Sequence, residues 1–243
     1  MLALYHMWTS TCSKKVRICL HEKGLDWENR AVKGGSVREN LAPWYLKINP
    51  YGVVPSLDHD GGIITESCVI LEYLEDVFPD VRLRPIEPGS RAQMRWWLDK
   101  SESVVHKNIN IISHNRFMAA RMADLNLEEK RAMAERYPKL ALRAERMRRY
   151  RDGVSVEEET LAEGLLAELL DEMEVTLSTS PWLAGDEFSL ADISITPFLE
   201  RFQVNGLTAL IDWTARPKLG DWWRRIQERP SFDVGMALDK ADS

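Results

Sequence analysis

Cysteine is scarce in this chain of 243 residues: there are three, Cys12, Cys19 and Cys68. An odd, widely spaced set offers no disulfide framework of the secreted kind, so a reducing cytoplasm is the expected compartment. Long apolar runs are missing as well. No stretch approaches the roughly 20 residues of a membrane span, and no succession of basic, apolar and small residues opens the chain, so neither a membrane anchor nor a leader is expected. Positive charge is not in excess: 32 Lys and Arg stand against 38 Asp and Glu, a net charge of −6 that argues against a general nucleic-acid binder. His6, His21, His59, His106 and His114 make no His-x-x-x-His pair and no ligand spacing with the cysteines, and no metal is expected. What the chain does have is 44% hydrophobic residues and nine tryptophans, enough to fill two small cores or one large one.

The most informative stretch is Asn49-Pro50-Tyr51-Gly52-Val53-Val54-Pro55, with Glu66-Ser67 downstream at the head of an apolar helix. A proline at Pro55 cannot donate to a ladder and belongs at a strand's first residue or edge. A cis Val54-Pro55 bond, which is accessible only before proline, would turn the backbone N–H and C=O of Val54 outward, where an extended peptide pairs with them as an added strand does. Asp60-Gly61 is a hairpin signal, predicting antiparallel strands over Val54 to Asp58 and Gly62 to Ile64. Val69, Ile70, Tyr73 and Leu74 then recur at helical spacing. Ser67 thus falls in a first turn, whose free N–H groups and dipole suit a ligand carboxylate, while the Glu66 carboxylate suits an ammonium. Simple capping by Thr65, Glu66 and Ser67 is the competing reading.

With these motifs the chain resembles the cytosolic glutathione transferase superfamily over essentially its whole length. Glutathione carries both a carboxylate and an ammonium on its γ-glutamyl end. Met1 to Trp8 reads as a strand, Ser13 to Lys23 as a helix, Trp27 to Val32 as a strand and Ala42 to Leu46 as a short helix. With the hairpin and the Ser67 helix, this is the βαβ-ββα order of a thioredoxin-like domain over 1–80, which the resemblance pairs with an all-α domain. Three prolines, Pro79, Pro85 and Pro88, mark 81–89 as a linker, and 90–243 reads as helical.

The loop Thr9-Ser10-Thr11-Cys12-Ser13 joins the first strand to the first helix. Cys12 stands near a helix N-terminus with Lys14 and Lys15 close by, a setting that lowers the pKa of a thiol. Ser10 to Arg17 is similar to the Ser-Ser-Cys-Ser-x-x-Val-Arg motif of zeta-class transferases, with Thr11 in place of the second serine. That match implies that the Ser10 hydroxyl donates to the glutathione sulfur, which attacks an electrophilic carbon as a thiolate. Two other readings stay open here: Ser10, Thr11 or Ser13 as a plain N-cap, and Cys12 as the working group of a monothiol reductase, as in glutaredoxin-like and omega-type relatives. No second cysteine sits at Cys-x-x-Cys spacing, which disfavours a dithiol cycle.

In the second half, helices are predicted over Arg91 to Ile112, Leu127 to Arg149 with a break near Pro138, Glu158 to Leu177, from Ser189, and over Lys218 to Glu228. Ser189 and Asp192 form a capping box. The arginine-rich run from Arg143 to Arg151 reads as a solvated face supported by Glu145 and Arg149 at i,i+4. Ser103, His106, Asn110 and His114 make a polar stripe on the first long helix. That stripe either lines the electrophile cleft, with Met7 and Trp8 as its walls, or is the wet side of an amphipathic helix.

Val53 stands where zeta members carry glutamine, which counts against a maleyl-acid isomerase. Lys47 to Pro50, Thr65 to Ser67, Glu72 to Pro79 and the added helical length between Leu127 and Glu159 resemble bacterial beta-etherases, which cleave aryl ethers by thiolate attack. The resemblance implies glutathione and a hydrophobic small-molecule electrophile as partners, and a homodimer. A glutathione-binding module without turnover is the third reading.

Overall fold

The computed structural model describes residues 1–35 and 37–238; the last five residues of the expected helical domain lie outside them. Strand β1 (Leu2–His6) pairs in parallel with β2 (Trp27–Ala31) and antiparallel with β3 (Ser56–His59), which carries β4 (Gly62–Thr65), giving the order β2-β1-β3-β4. The parallel β1–β2 pair needs a crossover, and α1 (Thr11–Glu22) supplies it. The β3–β4 hairpin turns at Asp60-Gly61, both at positive φ, as that dipeptide favours. Strand β3 begins at Ser56, so Val54 and Pro55 precede the ladder instead of opening it; the peptide bond between them is cis. Helix α2 (Pro43–Leu46) leads to this turn, and α3 (Ser67–Val77) follows β4.

Helix α1 is the hub of the molecule. Thr11 to Leu20 are all buried, because α1 packs not only beside the sheet but also on α3, α10 (Leu190–Val204) and α13 (Pro230–Met236). One continuous apolar core therefore runs from Leu4 and Val16 through Leu71 and Trp97 to Phe198 and Trp222. Full burial of each such side chain contributes about 1.5–3 kcal/mol. The buried cations of α1 and its C-cap Lys23 are partnered across this packing. Lys23 reaches Glu75 at 2.7 Å, Arg17 donates to the carbonyl of Gly235 at 2.7 Å, and Lys14 pairs with Glu200. A buried charge left without a partner would be far costlier than the pair.

Between α3 and the second half, residues 78–87 form neither helix nor strand, yet they are fixed at Leu83, whose N–H donates to Glu75 and whose carbonyl accepts from Leu190 N–H. The first long helix is not uniform. It runs as α4 (Pro88–Lys100), widens to a π turn over Ser101–His106, continues as α5 (Lys107–Ser113), widens again over His114–Met118 and ends as α6 (Ala119–Ala123). Next come α7 (Leu127–Glu135) and α8 (Leu140–Asp152), separated around Pro138, and α9 (Val156–Thr179), opened by a Ser155–Glu158 capping box.

The expected box at Ser189 and Asp192 caps α10. Asp192 also accepts from Leu183 N–H at 3.0 Å and Trp222 Nε1 at 2.8 Å, so it ties three segments together. Short α11 (Thr208–Ile211) precedes α12 (Pro217–Gln227). Helix α13 follows α12 and closes against α1, adding a packed element beyond the helix expected over Lys218 to Glu228.

Candidate active site

Two cavities meet where α1 faces the π turn of the long helix. The smaller, about 220 Å³, is lined by Tyr51, Val53, Val54, Pro55, Glu66 and Ser67, and the larger, about 550 Å³, by Met7, Ser10, Asn110 and side chains of α8. Cys12, Val53, Val54, Glu102, His106 and Leu142 line both.

The smaller cavity has the donors and acceptors that an extended peptide needs. Tyr45 Oη and Asn49 Nδ2 take the Val53 carbonyl, at 2.7 and 2.9 Å. Among the described residues the backbone groups of Val54 make no hydrogen bond. Glu66 occupies the N-cap of α3 at φ 69°, but its carboxylate makes no capping bond. It is thus free to meet an ammonium, which tells against the plain capping reading. Ser67 is buried at the head of α3, and its hydroxyl donates to Glu102 Oε1 at 3.1 Å. The Ser67 backbone N–H in that first turn is the donor that remains for an anion.

On the opposite wall Ser10 caps α1, its hydroxyl accepting from Ser13 N–H at 3.3 Å. Cys12 lies within the first turn, where the unpaired N–H groups favour an anion. Its Sγ is 3.9 Å from His106 Nε2, and His106 Nδ1 is 3.1 Å from Glu102 Oε2. Glu102 in turn receives the Lys15 ammonium at 2.6 Å. Lys15 is wholly buried, also donates to Ser101 Oγ at 3.1 Å, and lies over the Phe198 ring.

This array sets the protonation states. Burial pushes the Cys12 thiol up, but the Lys15 charge and the His106 hydrogen bond outweigh it, and the net is a lowered pKa. Burial disfavours the His106 imidazolium, yet the hydrogen bonds to Cys12 and Glu102 carry it up to about 10. Glu102, although desolvated, is held well below the carboxylate range by His106 and Lys15. The other thiols go the opposite way: burial lifts Cys68 to about 11 and Cys19 to about 12. Cys12 is therefore the chemically poised sulfur of the three.

The sequence offered no ligand spacing between histidine and cysteine. The fold corrects that reading, because Cys12, Glu102 and His106 present donor atoms within 4.8 Å of one another. The Lys15 ammonium already neutralises Glu102 at this point, so the group reads as a thiolate–imidazolium–carboxylate–ammonium chain, and a divalent cation would meet a buried positive charge.

Both halves of the chain match family models: residues 4–91 the glutathione S-transferase N-terminal domain, and residues 143–225 the C-terminal domain. Protein LigF of Sphingobium sp. (strain NBRC 103272 / SYK-6) is 34% identical over 238 residues, covering 95% of this chain and 91% of its own length. This chain belongs to the glutathione S-transferase family. The crystal structure of beta-etherase LigF superimposes on this transferase with a TM-score of 0.87 at 32% identity, covering 96% of this chain and 98% of LigF. The tetrachloro-p-hydroquinone reductive dehalogenase of Sphingobium chlorophenolicum is 29% identical, covering 98% of this chain and 96% of its own length.

Within the transferase the expected site residues fall into two groups. Ser10, Cys12, Val54, Pro55, Glu66, Ser67, Met7, His106 and Asn110 line the cavities, while Thr11, Trp8 and His114 line neither. Thr11 is buried in the first turn of α1. The Trp8 indole lies edge-on to His6 and beneath the Arg17 guanidinium, 4.8 Å from each. His114 is buried and stacks on Tyr150. It leaves the polar stripe because His106 and His114 are joined by the plain α turns of α5, where a spacing of eight residues rotates the side chain by about 80° at 3.6 residues per turn. Ser103 is exposed and bonds Asp99. Glu102 is the residue the sequence reading passed over, although its i,i+4 spacing to His106 was there to be read. The arginine run is also corrected: Arg149 does pair with Glu145, at 2.7 Å, but it is buried, and with Arg146 it lines the larger cavity.

Proposed function

We propose that glutathione lies in the smaller cavity, with its γ-glutamyl end at Glu66 and Ser67 and its cysteinyl backbone along Val54, and that an aromatic ether fills the larger one. The meeting of both cavities at Cys12 and His106 carries this reading. Ser10 and the first turn of α1 stabilise the glutathione thiolate, as the notion of a fixed donor at developing or resting charge requires. The sulfur bonds to the ether carbon, the carbon–oxygen bond breaks, and its electron pair leaves on the aryloxide. The aryloxide takes the His106 Nε2 proton and departs as a phenol, Glu102 holding the imidazole through Nδ1. The product is a glutathione thioether.

The test compares α-keto β-aryl ethers carrying an unactivated phenol or 4-nitrophenol in His106→Gln. General-acid assistance is worth about 10²- to 10⁴-fold, so release of the unactivated phenol should fall by that order while 4-nitrophenol release changes little. Equal losses for both leaving groups would remove His106 from the acid's role. Absence of glutathione-dependent release from the parent protein would remove the ether reading altogether.

The lowered Cys12 thiol favours a second reading, in which Cys12 attacks a glutathione disulfide and expels one glutathione thiolate. Ser10→Ala should then spare deglutathionylation, and Cys12→Ala should abolish it; the reverse pattern belongs to conjugation. For the assembly we take a cytoplasmic homodimer, following the family, and light scattering on the eluted protein checks it.

A further inference from the structure

We propose that the wall of the larger cavity formed by α8 and Lys107 is a carboxylate-binding subsite, so that the preferred electrophile is an anionic aromatic; this rests on the reading above that the larger cavity holds the electrophile. Arg146 and Arg149 of α8 and Lys107 of α5 all line that cavity. The two carboxylates beside them are Glu145 and Glu102, and Glu102 is already held by Lys15. Three cations thus face one available acid. Arg149 is only 7% exposed, and while one of its terminal nitrogens reaches Glu145 Oε1 at 2.7 Å, its Nε is buried with no partner. The Arg146 Nε is likewise buried and unpartnered, its guanidinium 5.6 Å from the Tyr137 ring centre. Among the described residues neither Arg146 nor Lys107 has an ion-pair partner.

Buried, unpaired guanidinium N–H groups are costly. A carboxylate answers them two at a time, because the planar fork of arginine matches its two oxygens. Met7, Leu142 and the Tyr137 ring give the same cavity apolar walls for an aromatic ring. A carboxylate can come from two sources here, the electrophile or the glycyl end of glutathione. Val54 lines both cavities, but neither arginine nor Lys107 lines the smaller one that holds Pro55, Glu66 and Ser67, which favours the electrophile.

The experiment titrates 3-nitrobenzoate and its methyl ester calorimetrically into the protein saturated with S-methylglutathione, which fills the peptide site without offering a thiol. The acid should bind at least about tenfold more tightly than the ester, the scale of one charge-assisted pair. The preference should shrink in added salt and fall to about twofold or less in the Lys107→Gln, Arg146→Gln double variant, Arg149 being left in place because it also holds Glu145. Equal affinity of acid and ester for the parent protein overturns the proposal, whether or not the variant folds. So does a double variant that loses affinity for S-methylglutathione but keeps it for the glycyl ethyl ester, since the subsite would then belong to the peptide. A retained acid preference in a protein that releases no phenol supports the subsite and defeats the ether reading alone.

Discussion

Cys12 is governed by residues that are far away in sequence. Lys15 lies one turn along α1, but His106 comes from the long helix of the other domain; these two outweigh the penalty of burying a thiolate, while the Glu102 charge opposes them. Because the thiol is lowered, its thiolate persists to lower pH than in a free cysteine, and removal of His106 should raise the titration. Thiolate absorbance at 240 nm should therefore rise at a pH at least about one unit higher in His106→Gln than in the parent. An unchanged profile would mean that Lys15 and the helix N-terminus suffice. Glutathione bound as a thiolate competes for the same imidazolium, so saturation with glutathione should slow iodoacetamide labelling of Cys12 at neutral pH. S-methylglutathione, which brings no charge on sulfur, should slow it only by obstruction.

At the scale of elements, the closest fit is between α13 and α1. A Cβ on Gly235 would come within 2.2 Å of Ile18 Cγ1 and 3.1 Å of the Ile18 backbone. Neither helix can yield easily, since Arg17 grips the Gly235 carbonyl and Arg229 holds Glu22 through two bonds of 2.7 Å. Gly235→Ala should cost about 1–3 kcal/mol, as overpacking does, read as a shift of the urea midpoint at unchanged slope. A variant as stable as the parent would show that α13 is loosely docked.

Helices α1, α9 and α12 were legible because each opens on a cap or a proline, and α3 because Val69, Ile70, Tyr73 and Leu74 recur at helical spacing. The π turn was not, since an extra residue in one turn leaves no mark in local propensity. That is why Ser103 was grouped with His106 although it is exposed and bonds Asp99. The burial of Arg149 was hidden for another reason. An arginine that pairs with Glu145 along its own helix looks solvated until the opposing cavity wall is known.

For the whole molecule, one core extends through both halves, and α1 touches elements of each. The halves should therefore unfold in a single transition. Glutathione at about 100 times its dissociation constant should add roughly 2.7 kcal/mol, which for a chain of this size raises the melting temperature by about 5–10 °C. Two separated calorimetric transitions would contradict the shared core. The lining of the smaller cavity was readable from sequence because Val54-Pro55 and Glu66-Ser67 lie within one short βαβ-ββα unit. The junction at Cys12, Glu102 and His106 was not, because it exists only once the long helix is laid across that unit.

The widened turn at Ser101–His106 makes the chemistry separable from the architecture. Deleting Ser103, an exposed position, would let the coil tighten to ordinary pitch with its hydrophobic stripe largely preserved, and would leave Glu102 and His106 as i,i+3 neighbours at a changed angle. The orientation of His106 is thus set by one inserted residue that the packing of the helix itself does not require.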